Sequence, residues 1–600
     1  MLFGAANAYL GLRVGLNVGT SIPIAILTVA AFRVAAGALG PAGILEVNIS
    51  QTIGSACASC ASGLIFTVPA LWMWGRPPGF VTVVALGATG GVLGVLAMIP
   101  LRPLLIDRAH GELPYPEGTA CAEVLRAADS GGTRARGILS GLGIGALLRL
   151  LGDGLRLIPR EAALLIPGVP KGRIAAEPSA ALLGIGWVLG YRVAAVMVSG
   201  GLVASAVLIP LIAQFGQGLA APMFPETARR IAEMTPQEIW SRYVRTIGAG
   251  AVAAAGVITV VRTLPTMWQS FRATLGGLRR SEGADSRREE RDLPGAVVVG
   301  GYALVVVLLA FAPGVLGPAP LVQRIAAAGA VALFAFFFST VAARIVGFIG
   351  TTSNPISGMT IVTLLGTTAL LVAAGGRGLA AQALAITVGA VVCTAAAMAG
   401  DMSQDLKTGF LVGATPRQQQ IGELAGAIVA APFVAGVLFM LAAQFEFGSA
   451  DLPAPQATLM KTVVSGVVAA DLPWGLVLSG AALAVVAEIL GAPSLPFAVG
   501  LYLPLATMAP VFIGGVLRRL ADARLGRARA AGGVLFACGL IAGEGVLGVG
   551  VAAWAFFFSR PRGLGLHLGT TAELAIGLAA LAALSGLLWA SAASTPADAP

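Results

Sequence analysis

The chain has 600 residues, of which 57% are hydrophobic and 11% are charged, and its mean hydropathy is +0.88. Soluble domains carry roughly 25% charged residues, so this composition indicates a polytopic membrane protein and leaves very little room for a soluble domain. The net charge of +10 fits basic cytoplasmic loops. Because no basic stretch is interleaved with aromatic residues, we expect no nucleic-acid partner.

The predicted elements are helices throughout. Residues 1–12 are apolar, but Arg13 follows too soon for the roughly 20 apolar residues of a spanning helix, so we expect a clipped first helix. Further apolar segments follow at 18–34, 44–73, 80–101, 137–151, 180–197, 199–215, 243–262, 295–313, 320–342, 352–374, 378–399, 418–443, 472–490, 497–517, 532–557 and 570–592. They predict an all-α polytopic membrane protein with about 14–16 transmembrane helices, broken or re-entrant segments and internal repeats.

A hydrophilic stretch divides the chain near its middle. We predict an N-terminal transmembrane half at 1–262, a central linker at 263–294, a C-terminal transmembrane half at 295–592 and a disordered tail at 593–600. The positive-inside rule counts Lys and Arg, and it places the linker and the basic stretch 518–529 in the cytoplasm.

The stretch 344–360, RIVGFIGTTSNPISGMT, lies between two long apolar runs. Pro355 removes a backbone donor, and the glycines of the stretch relax the helix. Broken backbone at membrane depth is tolerated only where it is buried in protein or lines a wet cavity. We therefore predict an interrupted helix that faces a substrate path, with Ser353 and Asn354 among the lining residues.

A similar pattern occurs near the N-terminus. The motif V-G-x-x-x-x-T-S-x-P-I describes residues 14–24 and 346–356, a constant offset of 332. Two Gly/Pro-interrupted segments in corresponding halves point to the binding site of a transporter. The pattern therefore predicts an internal repeat, with Asn17 and Ser21 lining the path in its first copy.

Polar groups inside apolar runs are costly, and each is a candidate for function. Asn48 and Gln51 lie three residues apart on one helix face, where an interhelical hydrogen bond and a substrate contact both remain open. In the stretch ELPYPEG, Glu112 and Glu117 are candidates for proton coupling and Tyr115 for the substrate path. A helix N-terminal cap is the alternative role of Glu117.

The stretch 401–420, DMSQDLKTGFLVGATPRQQQ, separates two apolar runs. Asp401, Asp405 and Lys407 form a compact charge cluster in it. A solvated cytoplasmic loop with a salt bridge is one interpretation. Flanking glycines and the shortness of the stretch favour a second interpretation, in which Asp401 and Asp405 couple proton transfer.

Two further glutamates lie in the C-terminal half. Glu488 precedes the proline-rich stretch GAPSLPFAVGLYLP, whose Tyr502 is a candidate for the substrate path. Glu544 stands alone in an apolar run, so it is either paired with an arginine or a protonatable carrier. Glu544 and Glu488 are our first candidates for proton coupling.

Metal and cofactor chemistry has little support in the sequence. Cys57 and Cys60 lie in an apolar run without a second pair, which favours helix packing over a zinc or redox site. His110 and His567 are isolated. We expect no metal site, no cofactor other than protons as the coupling ion, and a carboxylate as any proton carrier.

Nine stretches in the same order resemble the oligopeptide transporter (OPT) family, which includes the yellow stripe-like metal-chelate transporters. They are FGAANAYLGLRVG at 3–15, NISQTIGSA at 48–56, ELPYPEGTA at 112–120, RTIGAGAVAA at 245–254, RIVGFIGTTSNPISGMT at 344–360, DLKTGFLVGATPRQQQ at 405–420, LPAPQATLM at 452–460, SLPFAVGLYLP at 494–504 and GLIAGEG at 539–545.

This resemblance implies proton-coupled uptake of short peptides or of metal–chelator complexes by alternating access, in the cell membrane. One departure concerns the stretch at 48–56. In the family an acidic residue often follows N-x-x-Q-T-x-x-S-A, whereas Cys57, Ala58 and Ser59 stand there in this chain. If that acid couples protons elsewhere, this chain must use another group or has lost coupling.

Two other classes of function remain open at this stage. A membrane-embedded protease would need paired aspartates, a Ser–His pair or a histidine-rich metal site, and the sequence offers no such constellation, so we expect a protein that is not an enzyme. A passive channel is compatible with the repeats. The expected partners are the lipid bilayer and a small peptide or a metal chelate.

Overall fold

The computed structural model describes residues 1–15, 19–40, 42–113, 115–129, 134–155, 157–224, 226, 229–252, 254–255, 257–258, 261–262, 265, 288–312, 314–317, 319–351, 354, 356–449, 451–468, 473–558 and 570–594. The chain forms two compact units. The first comprises Met1–Ala135, Thr259–Ala442 and Gln456–Ala470, and the second comprises Arg136–Ile258, Ala443–Pro455 and Asp471–Pro600. Each unit takes segments from both halves of the sequence.

The first unit is built of helices. They are α1 (Leu2–Val14), α2 (Ser21–Leu39), α3 (Ile44–Ile65), α4 (Pro69–Met73), α5 (Phe80–Met98), α6 (Pro116–Asp129), α12 (Gly295–Phe311), α13 (Leu321–Ile349), α14 (Ile356–Ala373), α15 (Gly378–Val412), α16 (Pro416–Gln444) and α17 (Pro455–Val468). Short 3₁₀-helices occur at Ile99–Leu101 and Arg288–Glu290, and a π-helix occurs at Pro103–Arg108.

The second unit holds the remaining helices and a small hairpin. Its helices are α7 (Arg134–Arg149), α8 (Ala180–Leu189), α9 (Tyr191–Leu202), α10 (Ile209–Gly216), α11 (Pro236–Ile239), α18 (Trp474–Ile489), α19 (Ser494–Tyr502), α20 (Leu505–Arg524), α21 (Arg527–Phe558) and α22 (Thr570–Ala593). Strands β1 (Ala162–Leu165) and β2 (Arg173–Ala176) pair antiparallel, with Ala162 opposite Ala176. This hairpin was not predicted from the sequence.

The described residues contain ten helical segments that are long and apolar enough to cross a membrane. Four shorter apolar helices accompany them, at Ser21–Gly37, Gly137–Gly152, Ala180–Leu189 and Trp474–Ile489. The predicted class, an all-α polytopic membrane protein, is confirmed. The division into two transmembrane halves remains a prediction, and linker residues 266–287 and tail residues 595–600 lie outside the described residues.

Small residues bring α15 close to α5. A Cβ atom placed on Gly90 would lie 2.6 Å from Thr394 Cβ and 2.7 Å from the carbonyl oxygen of Val391. Membrane helices gain little from hydrophobic association, and small residues let their backbones approach closely. α15 is therefore packed tightly at the centre of the first unit.

The structure corrects one expectation about α15. Its predicted apolar segment ended at residue 399, and a solvated loop was one interpretation of the charge cluster that follows. Instead the helix continues to Val412, and Asp401, Asp405 and Lys407 are each at most 5% exposed. A charged side chain is stable in such a helix when partners inside the protein replace water.

Candidate functional site

The polar residues of α15 repeat along one face of the helix. Asp401, Asp405 and Thr408 follow one another at spacings of four and three residues, and side chains so spaced are neighbours on a helix surface. All three are buried. α15 thus carries a row of polar groups into the interior of the first unit.

Residues of α2 and α3 bind Asp405. Gln51 Nε2 donates to Asp405 Oδ1 at 2.6 Å, and Ser21 Oγ donates to the same oxygen at 3.2 Å. Ser21 Oγ also lies 3.3 Å from Ser55 Oγ. The structure therefore brings three of the sequence-predicted residues, Ser21, Gln51 and Asp405, into one buried hydrogen-bonded group.

Asp401 is bound one helical turn away. The Ser59 hydroxyl of α3 donates to Asp401 Oδ2. Ser59 is one of the three residues 57–59, which stand where an acid often occurs in the family that the sequence resembles. In this chain Ser59 is a hydrogen-bond donor at that place, and Asp401 of α15 accepts from it.

Glu423 is a buried acid that the sequence analysis did not single out. It belongs to α16, is completely buried and faces Asp405. Both of its carboxyl oxygens and Asp405 Oδ2 lack a hydrogen-bond donor. Its signal was available in the sequence, because it is a single acid inside the predicted apolar segment 418–443.

Glu117 lies where two interrupted helices end. α1 ends at Gly15 and α13 at Gly350, both in positive-φ conformations that glycine adopts easily. A Cβ on Gly19 would lie 2.7 Å from Glu117 Oε2, and one on Gly350 would lie 2.9 Å from Oε1. The Thr351 amide donates to Glu117 Oε1 at 3.1 Å, so both interrupted stretches approach one carboxylate.

Tyr115 fixes the chain beside this carboxylate. Its amide donates to the Gly347 carbonyl at 2.9 Å, and its hydroxyl donates to the Ala343 carbonyl at 3.3 Å. Burial raises the pKa of the Tyr115 hydroxyl above its ordinary value, which keeps the group a neutral donor. Tyr115 therefore holds the start of α6 against α13.

Two predicted amide residues of the first unit have unsatisfied polar atoms. Asn48 is completely buried, and neither its amide oxygen nor its amide nitrogen has a partner. The same holds for the amide atoms of Asn354. Asn17 and Ser353, which were also predicted to line the path, lie outside the described residues.

Lys407 lies on a different side of α15 from Asp401 and Asp405. It follows Asp405 by two positions, which places the two side chains about 200° apart around the helix. Its Nζ donates to His110 Nδ1 at 2.7 Å and lies 5.6 Å from the centre of the Tyr115 ring. The predicted salt bridge with the aspartates is therefore not formed, and Lys407 leaves them without a counter-ion from this side.

The remaining predicted residues lie elsewhere. In the second unit, Glu544 accepts from Ser179 Oγ at 2.8 Å and lies 3.7 Å from Arg149 Nη1. This is the arginine pairing that the sequence analysis kept open.

The other three residues have more ordinary surroundings. Glu488 Oε2 accepts from the Ser494 amide at 3.0 Å, and Tyr502 donates to the Pro453 carbonyl at 3.1 Å. Glu112, in the first unit, is exposed. The structure therefore groups Glu117, Asp401 and Asp405 with the lining residues of the first unit, and does not place Glu112 in that buried group.

Comparison with known proteins gives independent evidence about the whole chain. A protein of Haemophilus influenzae named "Putative oligopeptide transporter" is 31% identical over 602 residues, which cover 90% of this chain and 91% of that protein. A rice protein (Oryza sativa subsp. japonica) named "Probable metal-nicotianamine transporter YSL11" is 21% identical over 407 residues, or 62% of this chain and 54% of that protein. The family model described as "OPT oligopeptide transporter protein" matches residues 1–555. The chain therefore belongs to the OPT family of oligopeptide transporters.

Proposed function

We propose that this transporter takes up oligopeptides across the cell membrane, coupled to protons, by alternating access. The observation that carries the proposal is the facing pair Asp405 and Glu423. Two buried carboxylates repel each other unless a proton lies between them. A shared proton would join Asp405 Oδ2 to one of the Glu423 oxygens, which otherwise lack a hydrogen-bond partner.

The surroundings of this pair favour reversible protonation over a permanent ion pair. Among the described residues, the ion pairs of the buried Arg102 and of the largely buried Arg149 lie elsewhere. Lys407 is engaged with His110. With no such cation bound to it, the Asp405–Glu423 pair has a protonated and a less protonated state that differ in net charge.

The interrupted helices support the alternating-access part of the proposal. Glu117 lies between the ends of α1 and α13, at stretches that correspond under the offset of 332. Helix interruptions at corresponding places of two repeats mark the substrate site of many secondary transporters. A change at Glu117 would therefore act on both stretches together.

The substrate class follows the similarity to the Haemophilus protein, whose name refers to oligopeptides. A metal–chelator complex is the second candidate, because the name of the rice relative refers to metal–nicotianamine. No described feature of the buried acids Asp401, Asp405 and Glu423 favours an anionic chelate as the substrate.

The test is uptake of a labelled tetrapeptide into proteoliposomes, with and without an inward proton gradient. We expect accumulation only with the gradient. Glu423→Gln should abolish accumulation, because an amide does not bind and release the proton, while peptide exchange at equal pH on both sides, which needs no net proton transfer, should continue at a reduced level. Glu446→Gln, at an exposed glutamate, is the matched control and should behave as wild type.

Other outcomes would change the assignment. Downhill peptide flux that ignores the gradient would indicate a passive channel. Accumulation of an iron(III)–chelator complex and not of the peptide would move the protein to the metal-chelate branch. Gradient-driven accumulation in Glu423→Gln would remove the proton role from this residue.

A further inference from the structure

The buried face that α3 and α16 present to Asp405 has more free acceptors than free donors. The acceptors without partners are Asn48 Oδ1, Gln51 Oε1, Asp405 Oδ2 and both oxygens of Glu423. The free donor among these residues is Asn48 Nδ2. Buried polar groups are normally satisfied, and an unpaired one destabilises the protein. This surplus of acceptors calls for a ligand group that carries several N–H donors.

Helix geometry places these acceptors together. Asn48 and Gln51 are three residues apart on α3, so they share one face. Gln51 Nε2 is bound to Asp405, and Asp405 faces Glu423. All four side chains are completely buried, so a ligand that reaches them must itself shed its water.

This face carries three carboxyl groups. Asp401, Asp405 and Glu423 are within electrostatic reach of one another, and the Lys407 side chain is bound to His110 instead. A shared proton would use Asp405 Oδ2 and one Glu423 oxygen. It would leave three free acceptors, on Asn48, Gln51 and Glu423, beside a site that still carries net negative charge.

We propose that these three acceptors bind the free α-ammonium group of the peptide, so that transport requires an unblocked N-terminus. This inference rests on the proposed function, because it takes a peptide as the substrate. A primary ammonium has three N–H donors and no acceptor, which matches the free acceptors in number and in charge.

A bound metal ion fits the same atoms less well. Among the described residues, no three Asp, Glu, His or Cys side chains converge as the ligands of a metal ion would. Three of the free acceptors belong to side chains on two different helices, α3 and α16. The separate N–H donors of an ammonium group can each bind one such acceptor.

The test compares three forms of one tetrapeptide as competitors of labelled peptide exchange at equal pH, a condition that does not depend on coupling. The forms are the free peptide, the N-acetylated peptide and the C-amidated peptide. Loss of the ammonium would leave buried acceptors unpaired, so N-acetylation should weaken competition at least about tenfold. C-amidation, which changes the charge by the same amount at the other end, should weaken it less.

A variant locates the effect. Asn48→Leu removes one acceptor and should reduce the ratio between the free and acetylated peptides. If this variant does not fold, the comparison of peptides on the wild-type protein still decides the proposal.

The outcomes separate the inference from the proposed function. Equal competition by free and acetylated peptides overturns the ammonium site and leaves a peptide transporter. Exchange that requires sodium ions overturns it too, since the acceptors would then hold an alkali cation. Absence of any peptide exchange or accumulation overturns the proposed function itself.

Discussion

The buried carboxyl groups of the two units differ in their partners. Asp405 and Glu423 of the first unit face each other, whereas Glu544 of the second unit lies against Arg149 and accepts from Ser179. A neighbouring arginine favours the ionised form of a carboxyl group, whereas two facing carboxyl groups favour binding of a shared proton. The two environments therefore predict different consequences of neutralising a glutamate.

The first prediction concerns Glu544. Glu544→Gln removes the ion pair between Glu544 and the largely buried Arg149 guanidinium, which should lower stability by about 3–5 kcal/mol. Proton-driven accumulation per folded molecule should stay close to wild type. Thermal unfolding followed by fluorescence, together with uptake normalised to folded protein, measures both.

A double variant is the control for this prediction. Arg149→Met combined with Glu544→Gln should recover most of the lost stability, because the guanidinium is then absent while the glutamine oxygen still accepts from Ser179. If Glu544→Gln instead kept its stability and lost proton-driven accumulation, Glu544 would be the proton carrier, as the sequence analysis ranked it.

At the residue scale the sequence predicted part of the site. Ser21, Gln51 and Asp405 were recognisable because polar groups are rare inside apolar runs. The same rule applies to Glu423, which lies just beyond the polar stretch 401–420. An arginine partner for Glu544 was one of two interpretations, but that partner could not be identified as Arg149, since the contact joins helices far apart in the sequence.

At the element scale, glycine positions decide how closely α5 approaches α15. Gly90 faces Thr394 and Val391 at distances that leave no room for a side chain. Helix limits were harder to predict than helix existence. The apolar run ended at residue 399, yet α15 continues to Val412, because buried partners such as Gln51 take the place of water around its charged residues.

The second prediction tests this packing. Gly90→Val should destabilise the first unit by about 1–3 kcal/mol or more, because the added methyl groups must displace the α15 backbone. Gly300→Val is the matched control, since Gly300 lies in α12 with open space around its Cβ position and the same change in intrinsic helix propensity applies. Thermal unfolding of both variants in detergent gives the comparison, and equal midpoints would contradict close packing at Gly90.

At the scale of the whole molecule, composition was sufficient for the class. Low charge and high hydropathy predicted a multi-pass membrane protein, and family membership confirms a transporter and not a membrane-embedded enzyme. Composition was not sufficient for the two compact units. Each draws on distant segments of the chain, and such contacts depend on side-chain fit that periodicity does not report.

The end of the linker is attached to the first unit. Arg102, which is 2% exposed, donates to Asp292 Oδ1 at 2.6 Å and to Asp107 Oδ1 at 2.9 Å. Burial raises the pKa of the Asp107 carboxyl, although the Arg102 guanidinium acts in the opposite direction. Gln420 of α16 donates to Asp292 as well. The residues just before α12 are thus bound to the loop after α5 and to α16.

The last prediction concerns the side of the membrane on which the end of the linker, near Asp292, lies. The positive-inside rule places both the linker and residues 518–529 in the cytoplasm. A cysteine introduced at exposed Arg291 or at exposed Arg524 should therefore react with a membrane-impermeant maleimide only after the cells are permeabilised. The native cysteines, at 57, 60, 121, 393 and 538, are all buried, so the wild-type protein should give little background. Labelling of either introduced cysteine in intact cells would contradict the predicted orientation, and labelling of one but not the other would show that the rule fails for one of the two segments.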